Sequence, residues 1–205
     1  MTAIPAPREF VRQLPPPNVA PVVIINDFTP SAEREELLNA LADEGANTKQ
    51  IRHLTRWGIT SLTLELQRPP TDLELAQKLL DMMHELVQYG DDAADHEEYS
   101  RAVTSLVPVQ GMPISPLTGH PKGRGDCDDL GVLFSALARA AGMTSDVIWV
   151  DQKGAQYNHV ASVLCIGAGE RCYWVEATIP GARVGETTQA VIQRLRVHGR
   201  ADINR

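Results

Sequence analysis

The sequence predicts an α+β fold, a helical N-terminal half packed on a small antiparallel sheet, with a cysteine-bearing helix lying against that sheet. Three observations carry this. Apolar residues recur at helical spacing between residues 31 and 86 and again over 127–141. Three β-rich runs follow, at 147–150, 158–166 and 171–177. Finally, 205 residues with 43% hydrophobic and 22% charged side chains suit a globular core that needs no staples.

Residues 1–28 read as a Pro-rich extended arm holding Pro5, Pro7, Pro15, Pro16, Pro17 and Pro21, because each ring fixes φ and removes a donor. One short strand is expected within 22–28. Residues 29–105 form the helical part. Ser31 opens a helix with Glu33, Glu35 and Glu36 in its first turns, Leu37, Leu38 and Leu41 behind, and Gly45 as the stop. The stretch 47–66 supports two readings, a helix over 49–57 and a partly alternating, strand-like run from Ile59 to Leu66. Thr71 and Glu74 form a capping box ahead of an amphipathic helix carrying Leu75, Leu79, Met82 and Leu86, which ends at Tyr89-Gly90. A weaker helix is expected over 93–104.

Residues 106–186 form the core that carries the chemistry. Its first part, 106–124, is rich in proline and glycine and reads as a long functional loop. A helix over 127–141 follows, with Leu130, Leu133, Phe134 and Leu137 as its stripe and Gly142 as its stop. The last two strands are joined by a hairpin-like linker at 167–170. Residues 187–205 hold a helix near 188–197 and a basic tail with Arg194, Arg196, Arg200 and Arg205.

Composition narrows the function. With 26 Asp+Glu against 19 Lys+Arg the net charge is −7, which argues against a nucleic-acid or anionic-membrane partner. The faint helix-turn-helix pattern in 50–67, with Gly58 in its turn, has too few basic residues to change that. Residues 1–21 lack a basic segment followed by an apolar one, and the apolar run 22–25 is far short of the ~18 residues of a membrane span. Three cysteines are too few and odd in number for a disulfide framework. They read as reduced thiols in a cytosol-like compartment, with Cys165 and Cys172 as packed strand residues.

Cys127 stands on the first turn of its helix, directly after Gly123-Arg124-Gly125-Asp126. Free N–H groups and the helix dipole there favour a thiolate and an oxyanion. Asp126, Asp128 and Asp129 push the thiol the other way unless a cation answers them. The hairpin supplies an imidazole. With its turn centred between Gly167 and Ala168, His159 faces Glu176 and Ala161 faces Trp174, with Cβ atoms of the facing pair about 5 Å apart. An imidazole oriented by a carboxylate is the base-and-orienter half of a nucleophilic triad.

The aspartates read foremost as helix caps; a metal site joining them to His120 or His159 matches no EF-hand or zinc spacing. Arg124-Gly125-Asp126 reads as part of that cap, and His84-Glu85 lacks the second histidine of a zincin motif.

A thiol at a helix start, followed by strands bearing His and then an acid, is the chain order of papain-like cysteine enzymes. The stretch 120–180 resembles their transglutaminase-like branch, in the small form of bacteria and tailed phages. The matching segments are Gly125-Asp126-Cys127-Asp128-Asp129-Leu130, Leu137-Ala138-Arg139-Ala140-Ala141-Gly142, Asn158-His159-Val160 and Tyr173-Trp174-Val175-Glu176-Ala177-Thr178. The resemblance implies a papain/transglutaminase-like fold, with Cys127 as nucleophile, His159 as general base and Glu176 as orienting acid. The family usually has Asp where Glu176 stands. Papain-like proteases place a Gln six residues before the Cys, where this chain has Pro121, which leaves Gln110 and His120 as candidate oxyanion donors.

The expected function is thus a thiol-dependent amide-bond hydrolase or acyltransferase on a protein or peptide substrate, with no cofactor and no metal ion. The alternative is a phage virion or assembly protein with a vestigial site, docked through its Pro-rich arm and basic tail. A third reading is metal-dependent hydrolysis through the aspartate cluster. The expected location is the cytoplasm, or the virion if the chain is phage-encoded.

Overall fold

The caps decide where the helices start. Thr48 accepts the N–H of Ile51 at the head of one helix, and Thr71 forms the anticipated reciprocal box with Glu74 at the head of the next. The computed structural model describes residues 23–25, 31–90, 97–150, 159–167 and 171–187. In chain order the elements are β1 (Val23–Ile25), α1 (Ser31–Asn47), α2 (Lys49–Leu66), α3 (Asp72–Leu86), β2 (Val87–Tyr89), β3 (Glu97–Tyr99), β4 (Gly123–Gly125), α4 (Cys127–Ala140), β5 (Thr144–Val150), β6 (His159–Ile166) and β7 (Arg171–Val175). The class is α+β, as expected. The arm outside β1, the helix near 188–197 and the basic tail lie outside the described residues.

The ambiguous stretch 47–66 is one helix. Ile51, Leu54, Thr55, Gly58 and Leu62 are buried at helical spacing, and Gln67 ends the run in the left-handed region at φ 55°. The strand-like alternation after Ile59 was an accident of composition. Gly45 does not stop α1, which runs on to Asn47. It is needed instead for close approach: a Cβ there would stand 2.7 Å from Ala102 Cβ and 2.9 Å from Ala136 Cβ. The expected helix over 93–104 is absent among the described residues. Glu97–Tyr99 is a strand paired antiparallel with β1, and turns follow it. Leu106 to Arg124 is largely loop, but its end becomes β4, parallel to β2.

Helix α4 is buried on nearly every side, from Asp128 to Ala138. Helices α1, α2 and α3 pack on one side of it and the sheet β5-β6-β7 on the other. One continuous apolar cluster runs from Leu38 of α1 to Ala182 beyond β7. Three buried hydroxyls stitch α4 to the sheet: Ser135 lies 3.0 Å from Ser145 and 3.2 Å from Ser162, which itself donates to Gly131 O. The outer edge of β5 is closed by α1. The Asn39 amide donates to Val147 O and accepts from Val147 N, and Glu35 accepts from Trp149 N, so these side chains replace a neighbouring strand.

The hairpin register differs from expectation by two residues. β6 runs to Ile166 and β7 begins at Arg171, so four residues join them and Val163 pairs with Trp174. A shift of two keeps every side chain on its anticipated face. Glu176 therefore stays on the face of His159 but sits diagonally, not directly opposite, and Trp174 moves from Ala161 to Val163. The same shift places Cys165 opposite Cys172, and the two are joined as a disulfide with Cα atoms 4.1 Å apart. The reading of these two as reduced thiols is thereby corrected. No helix among the described residues is long and apolar enough to cross a membrane.

Gly45→Ala tests the α1–α4 contact. Its gain in helix propensity is about 1 kcal/mol. Overpacking costs about 1–3 kcal/mol. The expected outcome is a lower midpoint in urea denaturation; an unchanged or raised midpoint would contradict the close packing.

Candidate active site

Asp126 caps α4, its carboxylate accepting the Asp128 N–H at 3.2 Å, which sets Cys127 at the first helical position. Asp129 is buried and accepts the Ser100 N–H at 3.3 Å. The capping reading of the aspartates therefore holds. Asp126, Cys127 and Asp128 present donor atoms within 4.8 Å of one another, the spacing that a capped first turn produces by itself.

The Cys127 thiol is half-buried and is the remaining free cysteine. The N–H of Val160 and that of Cys127 itself are directed at the sulfur. The β6–β7 ladder ends at the Ser162–Val175 pair, so Val160 lies in the part of β6 beyond its β7 partner. Helix α4 comes this close to β6 because Gly131 faces it; a Cβ there would meet Val160 Cγ1 at 3.2 Å. The sulfur thus sits against the residue that follows His159. Burial, first, and then the Asp126 and Asp128 charges push the thiol well above its ordinary value, and the two N–H groups only partly offset them. The resting thiol is protonated.

His159 and Glu176 are brought together as anticipated. The ring Nε2 stands 3.0 Å from one carboxylate oxygen and 3.2 Å from the other. Glu176 is fully buried while the imidazole is 15% exposed. Glu176 also accepts from the hydroxyl and the N–H of Thr178, at 2.6 and 3.3 Å. Because a carboxylate accepts, Nε2 is the protonated nitrogen, and in the neutral ring Nδ1 carries the basic lone pair. No hydrogen bond joins the thiol to the imidazole among the described residues; the sulfur is held at the neighbouring backbone instead.

Gln110 and His120 are exposed on the 106–122 loop, and no hydrogen bond links either side chain to Cys127. Sequence reasoning weighed His84 only as a zincin motif and missed its contact. This histidine lies buried on α3, its Nε2 2.8 Å from Ala177 O, beside the Glu176 segment. Its place on an apolar helical stripe was the signal, since a polar ring there requires a partner. A cleft of about 550 Å³ opens beside it, lined by Asp81, Glu85, Tyr89, Lys122, Leu130 and Thr178 among others.

No family model, curated protein or solved structure matches this chain.

Two measurements follow from the thiol's surroundings. Asp126→Asn keeps a capping side chain but removes a charge, so Cys127 alkylation at pH 8 should accelerate several-fold, read by mass spectrometry. The folded thiol also keeps its proton to higher pH than the unfolded chain, whose value is near 9.0. Folding stability therefore declines as pH rises past that value, and Cys127→Ala should remove this part of the decline in urea titrations.

Proposed function

We propose that this chain is a thiol-dependent amide-bond enzyme of the papain/transglutaminase-like type, acting on a protein or peptide. Cys127 attacks the amide carbonyl, His159 takes the thiol proton at Nδ1, and Glu176 holds the ring through Nε2. The observation that carries this reading is the His159–Glu176 pair itself, a fully buried carboxylate shared between an imidazole and the Thr178 hydroxyl. A buried carboxylate is costly unless it is paired, and its pairing here fixes the tautomer a base needs.

Since the thiol is protonated at rest, proton removal accompanies attack and no thiolate is stored. The sulfur–carbon bond forms as the thiol proton passes to His159. The imidazolium returns that proton to the departing amine, and an acyl-thioester remains on Cys127. Water then releases the acid; an amine in its place gives transfer. Hydrolysis is preferred because it needs no second binding site. The N–H groups of Cys127 and Val160 are the donors nearest the reacting atom, in place of the side chain that papain-like proteases use.

A specific observation favours a second reading. The raised thiol, bonded to backbone and not to the imidazole, suits a vestigial site in an assembly protein such as a phage virion component. The Cys165–Cys172 bond supports a place outside a reducing cytosol, as a particle would have.

Acyl-probe labelling and peptide cleavage separate the two. Both should be lost in Cys127→Ala and reduced by about 100-fold or more in His159→Ala. Cleavage that survives Cys127→Ala would end the thiol-dependent assignment. Alkylation of the wild-type thiol that begins only above pH 8.5, with a profile unchanged in His159→Ala, would favour the assembly protein.

A further inference from the structure

Glu176 stands one residue beyond the end of β7, so the sheet ladder does not itself hold its backbone. A hold on that segment comes from α3. The His84 ring is 9% exposed, and its Nε2 lies 2.8 Å from Ala177 O. A carbonyl only accepts, so Nε2 carries the proton and the neutral ring leaves Nδ1 bare. Nδ1 is buried and has no hydrogen-bond partner, so the contact to Ala177 is the ring's polar anchor. From the other side, Thr178 closes on the Glu176 carboxylate through its hydroxyl and its N–H. The three consecutive residues 176–178 are therefore gripped twice: the carbonyl in the middle by His84, and the carboxylate by the residue after it.

Resting on the proposed His159–Glu176 relay, we infer that His84 is a positioning residue for it, fixing the Glu176–Thr178 segment through the Ala177 carbonyl so that the carboxylate meets His159 Nε2. The arrangement is specific to a neutral imidazole. A protonated ring would place a second N–H at the buried Nδ1, where no acceptor stands. Burial lowers the His84 pKa and so favours the neutral ring, and the nearby Lys122 charge adds to this, while the Ala177 hydrogen bond and the Asp81 and Glu176 charges oppose it. Lys122 also donates to the His84 carbonyl at 2.6 Å, so it clamps the same turn of α3 from the cleft side. The cleft is thus walled by residues that hold the relay from behind: His84, Lys122 and Thr178 all line it.

The distinction from mere packing lies in the donor. A glutamine at position 84 can present an N–H to Ala177 O, whereas methionine fills the space without one, and asparagine is polar but too short to reach. The test is the pH–rate profile of Cys127 alkylation by iodoacetamide, measured on the full chain for wild type, Glu176→Gln, His84→Met, His84→Asn and His84→Gln, with thermal midpoints alongside. Glu176→Gln should remove the imidazole-assisted rate below pH 8. His84→Met and His84→Asn should reproduce that loss by about 10-fold, as expected when a reacting group is misplaced by a fraction of an ångström. His84→Gln should stay within about two-fold of wild type. If His84→Met does not fold, His84→Asn carries the comparison with His84→Gln. A wild-type profile in His84→Met or His84→Asn, where Glu176→Gln alters it, overturns the inference alone. A wild-type profile in Glu176→Gln overturns the relay reading, and this inference with it.

Discussion

A buried carboxylate is the constraint around which the site is arranged. Glu176 has no exposure to water, and a carboxylate in such a place must be met by donors or it destabilises the fold. Leaving a buried acceptor without its donor generally costs about 1–3 kcal/mol, and more when the acceptor is charged. Here the donors are the His159 ring and the Thr178 hydroxyl, with the Thr178 N–H behind them. The same requirement that makes the acid tolerable also sets the ring: with Nε2 committed, Nδ1 is left as the basic atom. Fold stability and the orientation of the base are in this sense one interaction.

The second element is α4 and its contacts. Small residues let neighbouring elements approach it closely, Gly45 from α1 and its own Gly131 towards β6. The serine network of Ser135, Ser145 and Ser162 then fixes its register on the sheet. Sliding α4 along the sheet would break those hydroxyl contacts and bring a side chain, in place of Gly131, against Val160. That is how the head of the helix, and so the sulfur, is held beside the Val160 amide. Closing the β5 edge with the Asn39 and Glu35 side chains leaves the sheet a fixed platform for this packing.

Opposed fields meet at Cys127. The helix terminus and two N–H groups favour a thiolate, while partial burial and the Asp126 and Asp128 charges favour the thiol, and the second set prevails. The carboxylates in the first turn of α4 therefore add to burial in keeping the sulfur protonated. Local helix stability and thiol reactivity draw on the same residues in opposite directions. In the proposed enzymatic reading such a thiol needs the imidazole to remove its proton as the bond forms, which is why the orientation of His159 matters there.

Local chemistry was legible in the sequence wherever it is short-range. The Thr71–Glu74 box, the Asp126 cap, the Gly142 stop and the strands after it could be read because each depends on neighbours within a few residues. The three candidate residues, Cys127, His159 and Glu176, could be picked out for the same reason, as types standing at the ends of recognisable elements. What failed depended on partners far along the chain. Gly45 looked like a helix stop because Ala102 and Ala136, which require it, are distant in sequence. The segment 97–99 looked helical because its strand partner is β1. The hairpin register turned on where its four-residue connection is centred, between Ala168 and Gly169 and not between Gly167 and Ala168, and this two-residue shift, silent as to face, brought Cys165 against Cys172.

His84 is the clearest case of all. Alone in the sequence it is a histidine on an apolar stripe, and only the folded chain brings the carbonyl of Ala177 to it. The sequence by itself determined the element types and the candidate site residues, since caps, periodicity and residue chemistry act over a single turn or strand. The tertiary structure alone decided the hairpin register, the disulfide pairing and how far burial raises the thiol, because these depend on parts of the chain that only folding brings together.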